Sequence, residues 1–189
     1  MNKRPTDTLE DEHGVILKVV GTMPVLAESL EIGASVAPDV LRDIAEFMGV
    51  FADKCHHGKE EAHLFPALER KGVPLRGCPV GALTAEHQAG RVLVRAFTEA
   101  AEAYISQGAS AKGPLIESLK KLTGLYPGHI WKEDYLLFPM TNKVLGPTEQ
   151  QELAAKFEAV EEEMGRDVHH RLEQVAASLG ERFVSVMPE

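Results

Sequence analysis

The feature that most constrains this chain is a repeat of charge-bearing positions set in apolar surroundings. His56-x-x-Lys59-Glu60 recurs as His129-x-x-Lys132-Glu133 at an offset of 73, and both copies run on without a gap to Leu64-Phe65-Pro66 and Leu137-Phe138-Pro139. Glu12-His13 recurs as Glu86-His87 at an offset of 74. A duplication of this kind means two related halves, each with a histidine segment followed by a His-xxx-Glu segment. Packed about a pseudo-twofold axis, the halves bring all four segments to one shared centre.

The segments themselves read as helices. Breaker residues cluster at Gly33 to Pro38, Gly72 to Pro79, Gly108 to Pro114 and Pro139 to Pro147, leaving five long blocks rich in Leu, Ala, Glu and Lys without strand-like alternation. The fold class is therefore all-α. Short connections make sequential helices antiparallel, which gives an up-down-up-down four-helix bundle over residues 1–145 and an additional C-terminal helix over 146–189. Pro38 with Asp39, and Pro114, stand at helix starts, and Thr148 followed by Gln151 has capping-box spacing.

Apolar periodicity then assigns the inward faces. Leu9, His13, Ile16, Val20, Met23, Ala27 and Leu30 form the first seam, and Leu83, His87, Gly90, Val94, Phe97, Ala101 and Tyr104 the third. The fourth is Leu115, Leu119, Leu122, Tyr126, His129, Glu133 and Leu136. The second is less regular: Ile44, Met48, Phe51, Ala52 and Cys55 make its stripe, with His56 and Glu60 continuing one edge.

On a helix, residues four apart lie one above the other, so His56 with Glu60 and His129 with Glu133 each offer a nitrogen and a carboxylate to one point. With His13 and His87 the set is four imidazoles and two carboxylates able to bridge two cations. Nitrogen and oxygen donors without thiolate suit iron, with manganese or zinc as competitors. Two bare carboxylates in a helix core would cost several kcal/mol each unless paired, and a dinuclear cation centre supplies the pairing. His57 with Glu61 has the same spacing as His56 with Glu60; the repeat favours His56 and Glu60, and His57, stacked under Asp53 and Lys54, reads as part of a solvated face.

These residues resemble the haemerythrin-like, or HHE cation-binding, family. The resemblance is carried by Glu12-His13, by His56 to Glu61 with Leu64-Phe65-Pro66, by Gly81 to Arg91 around Glu86-His87, and by His129 to Asp134 with Leu137-Phe138-Pro139. It implies a four-helix bundle around two iron ions, usually with an oxo or hydroxo bridge, with His13, His56, Glu60, His87, His129 and Glu133 as ligands. Two positions depart from the oxygen-carrying members. Those carry a second histidine where this chain has Arg91, and an aspartate five residues after the last histidine, whereas here Glu133 falls at four and Asp134 at five. The four-histidine, two-carboxylate set is similar instead to the branch of iron-sulfur-cluster repair proteins and an iron-sensing ubiquitin-ligase subunit. One histidine fewer implies a more open coordination shell, which argues against a dedicated reversible oxygen carrier.

Other residues have subsidiary expectations. Tyr126, on the seam before His129, would present its hydroxyl to a bridging oxygen or bound ligand; Tyr104 and Trp131 lie on or near the same helices. Glu12 and Glu86 read either as orienters of imidazoles or, since a helix turns by about 100° per residue, as exposed surface residues. Cys55 reads as a buried inert thiol and Cys78 as a loop residue, and a chain lacking a separate cysteine-bearing domain is a poor fit to full cluster repair. The fifth helix should run from about Thr148 to Leu179 and pack on the bundle or pair with a second copy. His169 and His170 read as part of an exposed polar face, the acidic run Glu158 to Glu163 as solvated or beside a metal mouth, and Arg182 to Glu189 as an ordered tail or a frayed end.

Composition narrows the partners. A net charge of -9 removes the phosphate attraction that drives nucleic-acid and anionic-membrane binding. No apolar run reaches the roughly 20 residues of a membrane span, the N-terminus lacks a secretory core, and two cysteines are too few for a disulfide framework, so a cytoplasmic protein is expected. The functional expectation is a diiron protein that binds, senses or reacts with O2, peroxide or NO. The alternative is iron storage or donation, including a repair-like role, and a third reading is a helical interaction module without metal.

Overall fold

A computed structural model describes residues 3–77 and 79–184. Among them there is no strand; the chain is all-α. Helix α1 spans Pro5–Glu31, begins with a proline whose missing N–H costs nothing there, and is capped by the Asp7 carboxylate accepting the Arg4 backbone N–H at 2.9 Å. A second rod starts as α2, Pro38–Phe47, passes through two π-helical stretches, π1 (Met48–His57) and π2 (Glu60–Leu64), and ends as α3, Phe65–Arg70. Helix α4 (Val80–Gln107) is the third rod. The fourth runs as α5 (Lys112–Lys132), π3 (Glu133–Leu137) and α6 (Phe138–Val144).

Two apolar cores flank a polar layer. The larger gathers Ile16 to Leu30 of α1, Val40 to Ala52 of the second rod, Phe97 to Tyr104 of α4 and Leu115 to Ile130 of α5. The smaller gathers Leu9, Leu64 to Leu68, Val80, Leu83, Leu137 and Phe138. Between them lie His13, His56, His57, Glu60, His87, His129 and Glu133, all buried. Successive rods pass through core, polar layer and core in opposite order.

The π-helical turns shift registers that a uniform 3.6-residue period predicts. An i→i+5 turn inserts an extra residue, so every later side chain swings round the axis. After Glu133 it is therefore Leu137, fully buried, and not Leu136, 49% exposed, that faces inward. The same winding in π1 turns both His56 and His57 inward, which explains the irregular stripe of the second segment.

The C-terminal segment is two helices rather than one. Gly165 adopts φ +95, a left-handed conformation that glycine takes without a Cβ penalty, and breaks the segment into α7 (Pro147–Met164) and α8 (Arg166–Val184). The start of α7 lies upstream of the expected Thr148 cap: Gly146 is the cap, and its N–H donates to the Glu149 carboxylate at 2.8 Å. Leu153 and Phe157 of α7 join the smaller core, while Leu172, Ala176 and Leu179 of α8 join the larger. By length and composition alone α1 is long and apolar enough to cross a membrane, yet half of its most apolar stretch is buried against the other helices, as in a core helix.

Candidate metal centre

Four rods each deliver donors to the polar layer: His13 from α1, His56, His57 and Glu60 from the second rod, His87 from α4, and His129 with Glu133 from the fourth. Their facing atoms converge closely. His13 Nε2 lies 3.0 Å from His56 Nε2 and 3.1 Å from Glu133 Oε2. Glu133 Oε1 faces the other way, 3.2 Å from His129 Nε2 and 3.5 Å from His87 Nε2. Glu60 Oε2 sits 3.4 Å from His87 Nε2 and 4.0 Å from His56 Nε2. One carboxylate thus addresses two groups of imidazoles with its two oxygens.

The donor set fits cations. Ligand bonds of about 2.1 Å at roughly right angles place neighbouring donor atoms about 3 Å apart, the spacing seen here. Both oxygens of Glu60, both of Glu133, and the Nε2 atoms of His87 and His129 are buried without a hydrogen-bond partner. Orphaned polar atoms of this kind are rare because each costs about 1–3 kcal/mol or more. Gathered in one buried layer on two sides of the Glu133 carboxylate, they are groups that could hold metal ions.

Behind the imidazoles stands a ring of carboxylates, one per histidine. His13 Nδ1 pairs with Asp134 at 2.6 Å, His56 Nδ1 with Glu12 at 2.9 Å, and His57 Nδ1 with Asp53 at 3.3 Å. His87 Nδ1 pairs with Glu61 at 2.7 Å and His129 Nδ1 with Glu86 at 3.0 Å. Such outer partners fix the tautomer and aim the opposite nitrogen inward. The carboxylates are themselves anchored: Lys59 donates to Glu12, Lys132 to Glu86, and Arg91 to both Asp53 (2.8 Å) and Glu61 (3.0 Å).

Charge balance follows from this wiring. Burial disfavours the charged ring of His13, but Asp134 and Glu133 outweigh it and raise the group to about 10; for His87, Glu133, Glu60 and Glu61 outweigh burial and raise it to about 11. His57 goes the other way: burial pushes it down to about 3, only partly offset by Asp53. Burial would raise the Glu12 carboxyl, yet its contacts with His169 and His56 and the charge of Lys59 hold it far below the usual carboxylate range. Burial likewise pushes the Tyr126 hydroxyl up.

With this geometry in place, the comparison with known families is decisive. The Hemerythrin HHE cation binding domain matches residues 4–141. The chain belongs to that family. Among relatives of the hemerythrin-like chain are two uncharacterized proteins, one of Mycobacterium bovis and one of Mycobacterium tuberculosis, each 26% identical over 154 residues, covering 82% of this chain and 59% of the relative. The chain thus spans about three fifths of the length of these curated relatives. No solved structure matches it significantly.

The polar layer brings together all six residues singled out from sequence, and His57 lies beside them. His57, expected on a solvated face, is 3% exposed, and one of its ring nitrogens lies within 4.8 Å of one from each of His87 and His129. Glu61 stays outside as the partner of His87. Glu12 and Glu86 do orient imidazoles, though each serves the histidine of a neighbouring rod rather than its own. Tyr126 is buried with its ring nearly parallel to that of His57, centroids 6.4 Å apart.

Other expectations change. Trp131 is 54% exposed and stacks on Tyr135, away from the donors, because it follows the outward face of α5. The Tyr104 hydroxyl accepts the Val36 N–H at 3.3 Å and so belongs to the far core. His169 is no solvated residue: it packs on Phe51 and lies 3.8 Å from Glu12, because α8 folds back across α1. Within the acidic run Glu161 accepts from the fully buried Lys59 at 2.6 Å. Cys55 is buried and free; Cys78 lies outside the described residues.

Proposed function

We propose that this chain is a dinuclear non-haem metal protein, with iron the favoured metal and manganese or zinc competitors, that binds, senses or reacts with a small ligand such as O2, peroxide or NO. The observation that carries the reading is the set of buried, unpartnered donor atoms of Glu60, Glu133, His87 and His129, which face His13 and His56 across the polar layer. His13, His56, His87 and His129 would hold the metals and Glu60 and Glu133 would bridge them. The bound metals would supply Lewis acidity and, for iron, electron transfer. The opposite order in which successive rods cross the layers supports an up-down-up-down bundle, and a cytoplasmic setting belongs to the same proposal.

The protein's own residues set the terms of access. A cavity of about 240 Å³ lined by Gly49, Asp53, His57, Arg91, Val94, Arg95 and Tyr126 opens beside His57 and gives a small molecule an approach past two guanidinium groups. Tyr126 bounds it and would offer its hydroxyl to what enters. The test is metal content and visible spectrum of protein purified in air, then after dithionite and after peroxide. About two irons per chain with near-ultraviolet bands that bleach on reduction is the expected result; a colourless protein after iron reconstitution would overturn the redox reading.

One observation favours iron storage or donation as the second reading. A cavity of about 380 Å³ lined by Asp11, Glu12, Glu158, Glu161, His169 and Glu173, among others, opens next to the carboxylate that holds His56. An acidic opening there suits a cation on its way in or out. Rapid loss of iron to a chelator would favour this reading, and retention for hours the first.

A further inference from the structure

We infer that His57 is a third imidazole ligand of the metal facing His87 and His129, so that the centre is asymmetric, with three histidines on one side and His13 and His56 on the other. The inference rests on the dinuclear reading above and deepens it.

Three observations converge. The ring of His57 is buried between neighbours that are themselves donors: its centroid lies 3.9 Å from that of His87 in a stacked pair and 5.5 Å from that of His129 edge-on. Its Nδ1 pairs with the Asp53 carboxylate, as the Nδ1 of each of the other four imidazoles pairs with a carboxylate. One nitrogen each from His57, His87 and His129 falls within the mutual reach of a single ion.

The internal duplication supplies an independent argument. At the offset of 73 that relates the His-xxx-Glu segments, Asp53 and His57 correspond to Tyr126 and Ile130; at the offset of 74 Arg91 corresponds to Leu17. Three departures from the repeat thus form one connected set, with Arg91 Nε donating to Asp53 at 2.8 Å, Asp53 contacting His57 at 3.3 Å, and His57 lying against Tyr126. Backbone winding departs at the same place, since π1 ends on His57 while the corresponding stretch of α5 is ordinary α-helix. An isoleucine fills the matching position in the other half, so packing alone does not call for an imidazole backed by a carboxylate and a guanidinium. Liganding a cation does.

Titration of the metal-free protein with cobalt(II), followed by its visible absorption and by chelator competition, tests this. Wild type should bind two equivalents. His57→Phe, which keeps a ring in the stack, should retain one equivalent unchanged and weaken the other roughly 10–100-fold with an altered spectrum for that equivalent alone; Asp53→Asn should weaken the same equivalent to a lesser degree. Two equivalents bound by His57→Phe with wild-type affinity and spectrum would overturn the inference, and so would equal weakening of both in a folded variant. If His57→Phe does not fold, Asp53→Asn decides by the same criteria. Failure of wild type to take up two equivalents would sink the dinuclear reading itself, a result separable from failure at His57 alone.

Discussion

Glu12 of α1 and His56 of the second rod are joined across the helix interface at 2.9 Å, and the same carboxylate accepts from Lys59. Glu12→Gln should lower metal affinity about 10–100-fold in a chelator competition. Glu86→Gln should do the same through His129, but with a different stability cost. Lys59 is fully buried, whereas the Lys132 side chain is 38% exposed. Weakening the partner of a buried charge costs as much as about 3 kcal/mol and that of an exposed one below about 1 kcal/mol. Urea unfolding of the two metal-free variants should show that order, Glu12→Gln being the less stable.

Metal removal should destabilise the fold. Glu60 and Glu133 have no water to retreat to, and binding to the folded chain alone adds about 2.7 kcal/mol per site when free metal is 100-fold above Kd. Thermal unfolding with and without two equivalents of metal should show a higher Tm for the loaded protein. An unchanged Tm would mean that the polar layer is self-sufficient.

Proton release gives a pH signature. Without metal, the His13 and His87 rings are held protonated at neutral pH, with values raised to about 10 and about 11 by the carboxylates around them. A raised value means the pairing stabilises the metal-free chain fully below the unfolded value near 6.5 and is lost as pH rises through about 10. A metal must displace those protons, so uptake at pH 7.5 should release about two per chain and apparent affinity should rise with pH. Weakly buffered titration with a pH indicator measures the release.

Phe157 anchors α7 in the smaller core and is 2% exposed. Phe157→Ala should cost about 3–5 kcal/mol in denaturant unfolding. A loss below about 1 kcal/mol would show α7 to be a loosely held appendage.

Cys55 is 1% exposed and burial pushes its thiol up to about 12. Iodoacetamide at pH 8 should leave it unmodified in the native protein and alkylate it in urea, as read by peptide mass spectrometry.

Much of this was legible in the residues. The duplicated His-xxx-Glu segments and the Glu-His pairs give the donor set because a four-residue step stacks side chains on any ordinary helix, and the seams of α1 and α4 follow the same rule. What failed to show was winding. Nothing in Met48 to His57 announces an i→i+5 turn, and it is that turn which carries His57 inward and, after Glu133, replaces Leu136 by Leu137. The break at Gly165 was hidden because Met164 and Val168 keep an apolar step on either side of it. The inward setting of His169 depends on α8 crossing α1, a tertiary choice that no local pattern encodes.

Because α7 fastens to one core and α8 to the other, the C-terminal segment is a strap buckled on both sides of the charged layer, with Gly165 as its crease. The strap presses Glu161 onto Lys59 and His169 toward Glu12, and Glu12 in turn aims His56. The contacts thus run from the strap through Glu12 to the His56 imidazole, so the end of the chain is wired to the ring at its heart.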